Sequence, residues 1–159
     1  MTNNDKVFHS DNSSDTKRED QVAPKIRGVE IYDLTSLNDS RGSLTVGQFP
    51  TSLPFKAKRF FFISEVPVGS IRGEHAHFEC EQFLVAIKGS VKVLLEASGE
   101  REEYALNSSE IGLLIPPMTW GVQYEYSEDC VLLVLASHEF DRADYITNHD
   151  TFVSLQSSP

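Results

Sequence analysis

Two short runs constrain the fold more than anything else in this chain, because each is apolar on both of its faces. In Gln82-Phe83-Leu84-Val85-Ala86-Ile87, an extended backbone puts Gln82, Leu84 and Ala86 on one side and Phe83, Val85 and Ile87 on the other. The run from Cys130 to Ala136 is apolar throughout. A half-solvated sheet alternates apolar with polar residues, so strands of this kind must be covered front and back. Further strand-like runs lie at 29–34, 43–49, 59–64, 91–96, 112–115 and 120–126, with Gly, Pro, Asn and Ser between them. No helical period appears before Asp141. The segment 141–155 reads as one short helix, with Tyr145, Ile146 and Phe152 as its apolar contacts. Many short strands at regular spacing predict an all-β sandwich or barrel. Little chain is left to cover the face of Phe83, Val85 and Ile87, so a homodimer is expected.

The rest of the sequence narrows the class. At 159 residues there is room for one domain. Residues 1–25 are rich in Asn, Ser, Asp and Lys and cannot bury enough apolar surface to offset ordering, so they read as a disordered tail. Residues 26–159 then form the single domain. Lys and Arg number 14 against 24 Asp and Glu, a formal charge of −10, which argues against non-specific nucleic-acid binding. The apolar runs are too short to span a bilayer, and no basic segment followed by an apolar one opens the chain. The expectation is a protein with no membrane association, located in the cytoplasm. Cys80 and Cys130 are too few for a disulfide framework and read as buried thiols.

The stretch from Gly69 to Gly89 carries the chemistry. If it is extended, His75 and His77 share a face, because side chains alternate with period two. Two imidazoles on one face inside a small barrel can bind a metal or move protons. The spacing resembles the first motif of the cupin superfamily: Gly69, five residues, His75-x-His77, four residues, Gln82, six residues, Gly89. Pro116 to Gly121 resembles the end of the second. The resemblance implies a double-stranded β-helix, or jelly-roll, barrel with a short C-terminal helix. It puts Gln82 where an acidic ligand usually stands and Gly121 where a histidine ligand stands. Two of four usual ligands remain, too few for a tight transition-metal site. No metal and no cofactor are expected.

A closer resemblance spans residues 28–153. Asp39-Ser40-Arg41-Gly42, Lys58-Arg59 with the following Phe run, Arg72-Gly73-Glu74-His75-Ala76-His77, Glu81-Gln82, Ile115 to Trp120 and Asp144-Tyr145-Ile146 are similar to the WxcM-like sugar 3,4-ketoisomerases. These are metal-independent dimeric cupins that act on dTDP-4-keto-6-deoxyglucose. The resemblance implies an isomerase supplying a 3-keto sugar for deoxy-sugar and glycan biosynthesis, lipopolysaccharide included. It points to His77 as the main acid/base, with His75 as its partner. Arg72, Gln82, Arg59, Arg41, Lys88 and Trp120 are the expected substrate-binding residues. Arg59 is favoured for the diphosphate and Gln82 for a sugar hydroxyl. Arg72 is read either as an anion site or as an ion pair with Glu74 or Glu79. Trp120 is read as a pocket wall or as core. Family members often carry Tyr-Tyr where Phe61-Phe62 stand, so any tyrosine hydroxyl used there is absent. A 3,5-epimerase and a non-catalytic sugar-binding cupin are the alternatives. The epimerase family pairs its histidine with a distant aspartate and a tyrosine, a constellation that spacing alone does not place in this chain.

Overall fold

The structure, a computed structural model, describes residues 23–157. Apart from residues 23–25, the expected tail lies outside the described residues. In chain order the strands are β1 (Glu30–Asp33), β2 (Thr35–Asp39), β3 (Gly42–Val46), β4 (Arg59–Ser64), β5 (Arg72–His77), β6 (Gln82–Lys88), β7 (Val91–Ala97), β8 (Glu100–Leu106), β9 (Ile111–Ile115), β10 (Trp120–Tyr124), β11 (Val131–Ala136) and β12 (Tyr145–Ile146). Helix α1 (His149–Gln156) follows. Two five-stranded antiparallel sheets are formed, in the orders β1-β9-β6-β11-β4 and β12-β5-β10-β7-β8, with β2 and β3 as a separate hairpin. This is the two-sheet, jelly-roll arrangement expected of a cupin.

The period-two pattern sets what lies between the sheets. Leu84, Ala86, Leu113, Leu132 and Val134 face Val91, Val93 and Leu95 of the opposite sheet, all buried in one core. Fully burying side chains of this size contributes about 1.5–3 kcal/mol each. The outer face of β6 is covered in a different way from that expected. Phe83 and Val85 are buried, but by Leu34, Tyr32, Leu53 and Phe55 of the same chain, while Ile87 stays 44% exposed. The segment ahead of β4 thus supplies a cover that its loop-like text does not announce. Phe61 and Ile63 pack on the core, but Phe60 and Phe62 do not form a second buried face: they are 64% and 55% exposed.

Two other expectations are corrected. Strand β8, which is absent from the strand-like runs read in the sequence, pairs with β7 along its whole length. It is the sheet's edge, where charge is tolerated, and Tyr104 and Leu106 supply its buried contacts. Segment 141–155 is not one helix. A 3-10 turn at Arg142–Asp144 is capped by Asp141, Tyr145 and Ile146 pair with β5, and α1 starts only after Asn148. The Asn148 side chain accepts from Thr151 N at 2.8 Å, which stops the helix from extending backwards.

Candidate active site

The C-terminal end of β5 and the start of β6 bring the two histidines and Gln82 to one end of the sandwich. His75, His77, Cys80, Gln82, Thr119 and Gln123 line a small cavity there. His75 stands opposite Gly121 of β10. His77 stands opposite Tyr145 of β12. The next pair, Ala76 and Ile146, faces the other way, into a small core with Trp120 and Phe152.

His77 is held at both ring nitrogens. Its Nδ1 donates to Asp144 Oδ2 at 2.8 Å, and its Nε2 lies 3.0 Å from Gln82 Nε2. With Nδ1 carrying the proton, Nε2 is an acceptor and the Gln82 amide donates to it. Asp144 is fixed in turn by the backbone N–H of Glu79, at 2.7 Å to Oδ1. Burial pushes the His77 pKa below that of free imidazole, outweighing the bond to Asp144, and nearby His75 adds to the lowering. Burial alone would raise the Asp144 carboxyl, but the bonds from Glu79 N–H and His77 hold it below the ordinary range. The dyad at neutral pH is therefore a neutral imidazole on a carboxylate.

His75 is fixed differently. Its Nδ1 donates to Gly73 O at 2.9 Å, within its own strand. The Tyr145 ring packs against both imidazoles, with centroids 5.0 Å from His75 and 4.3 Å from His77. The Tyr145 hydroxyl accepts from Arg59 Nη2 at 3.4 Å. The Arg59 guanidinium lies 5.5 Å from each of the Phe61 and Phe140 rings, and its buried Nε has no partner among the described residues.

Arg72 reaches the same face through a bulge. Gly73 and Glu74 both have positive φ, and the β10 register slips so that Arg72 falls opposite Gln123. Residues directly opposite share a face, so Arg72 lies on the side of the cavity-lining Gln123. An unbroken strand would have put it on the other face from His75. Of the two readings of Arg72, the ion pair with Glu74 or Glu79 does not form among the described residues.

Of the six expected binding residues only Gln82 lines the cavity; Arg59 lies beside it against Tyr145, Arg72 lies on its face of the sheet, and the other three are not brought to it. Trp120 packs on Phe152 and His149 beneath α1, because alternation along β10 turns it away from Gly121 and Gln123. Lys88 ends β6, six residues from Gln82, about 20 Å along a strand; its Nζ is 3.9 Å from Asp129. Arg41 lies at the turn of the β2–β3 hairpin and is tied to Asp39 at 2.5 Å. Conversely, Asp144 and Tyr145 enter the site without having been assigned a role. The His–Asp pair that spacing does not place is present, with the Tyr145 ring packed on His77.

The donor set does not fit a cupin metal. Gln82 turns an N–H toward the Nε2 lone pair that a metal would use, and Gly121 offers nothing. Ligand atoms of His77, Cys80 and Asp144 lie within 4.8 Å of one another, but both Asp144 oxygens are already engaged. Chelator treatment followed by gel filtration is expected to leave turnover unchanged; loss of activity restored by one divalent ion would contradict this.

Residues 27–157 match the family described as FdtA: WxcM-like, C-terminal. The chain belongs to this WxcM-like family. A relative from Aneurinibacillus thermoaerophilus, TDP-4-oxo-6-deoxy-alpha-D-glucose-3,4-oxoisomerase, is 37% identical over 123 residues, covering 77% of this chain and 88% of its own. The 3,4-ketoisomerase QdtA from Thermoanaerobacterium thermosaccharolyticum, solved as a histidine-to-asparagine mutant with TDP-4-keto-6-deoxyglucose, superposes with a TM-score of 0.80 at 34% identity. That match covers 82% of this chain and 95% of the solved one. NovW, a 4-keto-6-deoxy sugar epimerase from Streptomyces spheroides, is 16% identical with a TM-score of 0.68, covering 77% of this chain and 70% of its own, a likeness of fold alone. The WxcM-like membership agrees with the expectation drawn from the histidine and Ile-Pro-Pro motifs.

Proposed function

We infer that this protein is a nucleotide-sugar 3,4-ketoisomerase that converts dTDP-4-keto-6-deoxyglucose to the dTDP-3-keto-6-deoxyhexose. The observation that carries the reading is the cavity-lining His77, backed at Nδ1 by Asp144, in a WxcM-like chain 37% identical to a 3,4-oxoisomerase. Moving a ketone from C4 to C3 requires removal of a proton at C3, which the neighbouring carbonyl acidifies, and return of a proton at C4. A neutral imidazole with its unprotonated nitrogen toward a cavity suits both steps. The incoming sugar displaces the Gln82 amide from His77 Nε2, and Gln82 then donates to a sugar oxygen. Among the described residues Arg59 has no carboxylate partner and its buried Nε is unpartnered, so it takes the diphosphate or the developing enediolate oxygen. Arg72 adds a second cation on the same face. No redox cofactor is needed, since the sugar is oxidised at one carbon and reduced at the next. Incubation with dTDP-4-keto-6-deoxyglucose, followed by NMR, tests the reading. Carbonyl signal moving to C3 supports it, and tight binding without turnover would favour the sugar-binding cupin.

The assembly follows from the exposed apolar face. Phe60, Phe62 and Ile87 lie on the outer side of the sheet that ends in β4, beside the half-buried Leu133 and Leu135. An identical patch on a second copy, related by a two-fold axis, covers it with matching chemistry. Light scattering is expected to give a dimer, and Phe60→Asp with Phe62→Asp a monomer; a wild-type monomer at micromolar concentration would contradict the assignment. Among the described residues no helix is long and apolar enough to cross a membrane. The reading places the reaction in the cytoplasm, supplying deoxy sugars for lipopolysaccharide or other glycans.

A further inference from the structure

Part of the cavity wall is the turn between β9 and β10, which carries the lining residues Pro116 and Thr119. Within that turn Met118 has φ +55°, a left-handed conformation that a side chain of this size keeps only where its surroundings impose it. Three contacts impose it here. The Met118 side chain packs in the small core with Ala76, Trp120, Ile146 and Phe152. Its N–H donates to His77 O at 2.7 Å. Its carbonyl accepts from Nε2 of Gln156, the last residue of α1, at 3.0 Å.

We infer that Gln156 is a positioning residue: through the peptide groups of Met118 it fixes the backbone of His77, and with it the imidazole, against the cavity. This inference rests on the ketoisomerase reading. The pairing of β5 with β10 stops at His75 opposite Gly121, so that ladder does not reach His77. The Met118 N–H takes its place. On the other side the Phe78 N–H donates to Asp144 O at 2.9 Å, so the peptide group that follows His77 is bonded at both its oxygen and its nitrogen. Only one of these two bonds comes from the strand that delivers Asp144; the other depends on the turn that Gln156 holds.

The amide suits this place at both ends. Gln156 Oε1 accepts from Ser98 N at 2.9 Å, in the turn between β7 and β8, while Nε2 donates to Met118 O. A backbone N–H can only donate and a carbonyl can only accept, so the network fixes which end of the amide is which. A glutamate keeps the bond from Ser98 but turns a lone pair toward Met118 O; a methionine keeps neither bond. The bridge ties two turns to α1, and α1 thereby acts on the cavity wall although none of the lining residues belongs to it.

Turnover of dTDP-4-keto-6-deoxyglucose by Gln156→Glu and Gln156→Met tests the assignment. Both are expected to lower kcat by about 10- to 100-fold with KM little changed, because a misplaced acid/base costs the transition state more than it costs binding. Asn148→Ala is the control. It removes the side-chain cap of α1 and lowers the thermal melt, but it touches neither bond of Gln156 and should leave kcat unchanged. The nitrogen NMR signals of the His77 ring, read without substrate, should move in Gln156→Glu and stay in place in Asn148→Ala. Wild-type kcat in Gln156→Glu, a rise in KM alone, or unmoved His77 signals in that variant would each overturn the assignment. So would a loss of kcat in Asn148→Ala equal to that of the Gln156 variants, since α1 would then serve stability alone. A wild-type protein that binds the sugar and does not move the ketone overturns the ketoisomerase reading instead, and the His77 signals then decide whether Gln156 positions that ring.

Discussion

His77→Asn is expected to lower kcat on dTDP-4-keto-6-deoxyglucose by about 10²–10⁴, with little change in KM, because it removes a general acid/base and leaves the cavity's shape. Asparagine is close to the imidazole in size near the backbone but carries no titrating nitrogen. The pH profile of the wild type follows from the same residue. The base form of His77 is the neutral one, and burial, the largest influence on it, moves its pKa down from 6.5. The acid limb of kcat/KM should therefore have its midpoint below about 6.5, not above it. A midpoint well above that value would mean another group supplies the base. Steady-state turnover by NMR across pH 5 to 8 reads both expectations.

Asp144→Asn should cost almost as much. The carboxylate selects the His77 tautomer with its proton on Nδ1, at 2.8 Å, and leaves Nε2 unprotonated toward Gln82 and the cavity. An amide can instead offer an N–H to Nδ1 and stabilise the tautomer whose Nε2 is no base. In hydrolytic triads the corresponding change costs up to about 10⁴ in kcat, and a loss on the order of 10²–10⁴ is expected here. A second signature separates this from a folding defect. Asp144 acts to raise the His77 pKa against the effect of burial, so its removal should shift the remaining acid limb to still lower pH. Activity near wild type, or a limb that moves upward, would show that Asp144 serves only to hold Glu79 N–H and the turn.

The same residues show what the sequence does and does not convey. Period-two alternation is local, so the inward set of Gln82, Leu84 and Ala86 and the shared face of His75 and His77 can be read from spacing alone. The departures of Gln82 and Gly121 from the cupin ligand pattern are likewise local. Asp144 is 67 residues from His77, and nothing in the spacing says that a two-residue strand after a 3-10 turn will pair with β5 and deliver it. The text 141–155 has enough apolar residues to read as a helix, and tertiary pairing overrode that reading. Arg72 is the opposite case: three residues from His75, it belongs on the other face by simple alternation. Only the bulge at Gly73 and Glu74 returns it. Trp120 and Lys88 were plausible by residue type alone, and strand direction placed one beneath α1 and the other at the far end of β6. The cover over Phe83 and Val85 was required by the sequence, but whether it came from the chain itself or from a partner was decided by Leu53 and Phe55, which carry no regular period.

The central claim is that His77 moves hydrogen between C3 and C4, and the presence of an aspartate and a tyrosine beside it makes epimerisation the reaction to distinguish. Turnover of dTDP-4-keto-6-deoxyglucose in deuterated water, followed by NMR, tests this most directly. The account predicts a 3-keto product carrying solvent deuterium at C4, with the C5 position unlabelled. Deuterium at C3 and C5 of a sugar whose ketone stays at C4 would contradict it and identify an epimerase.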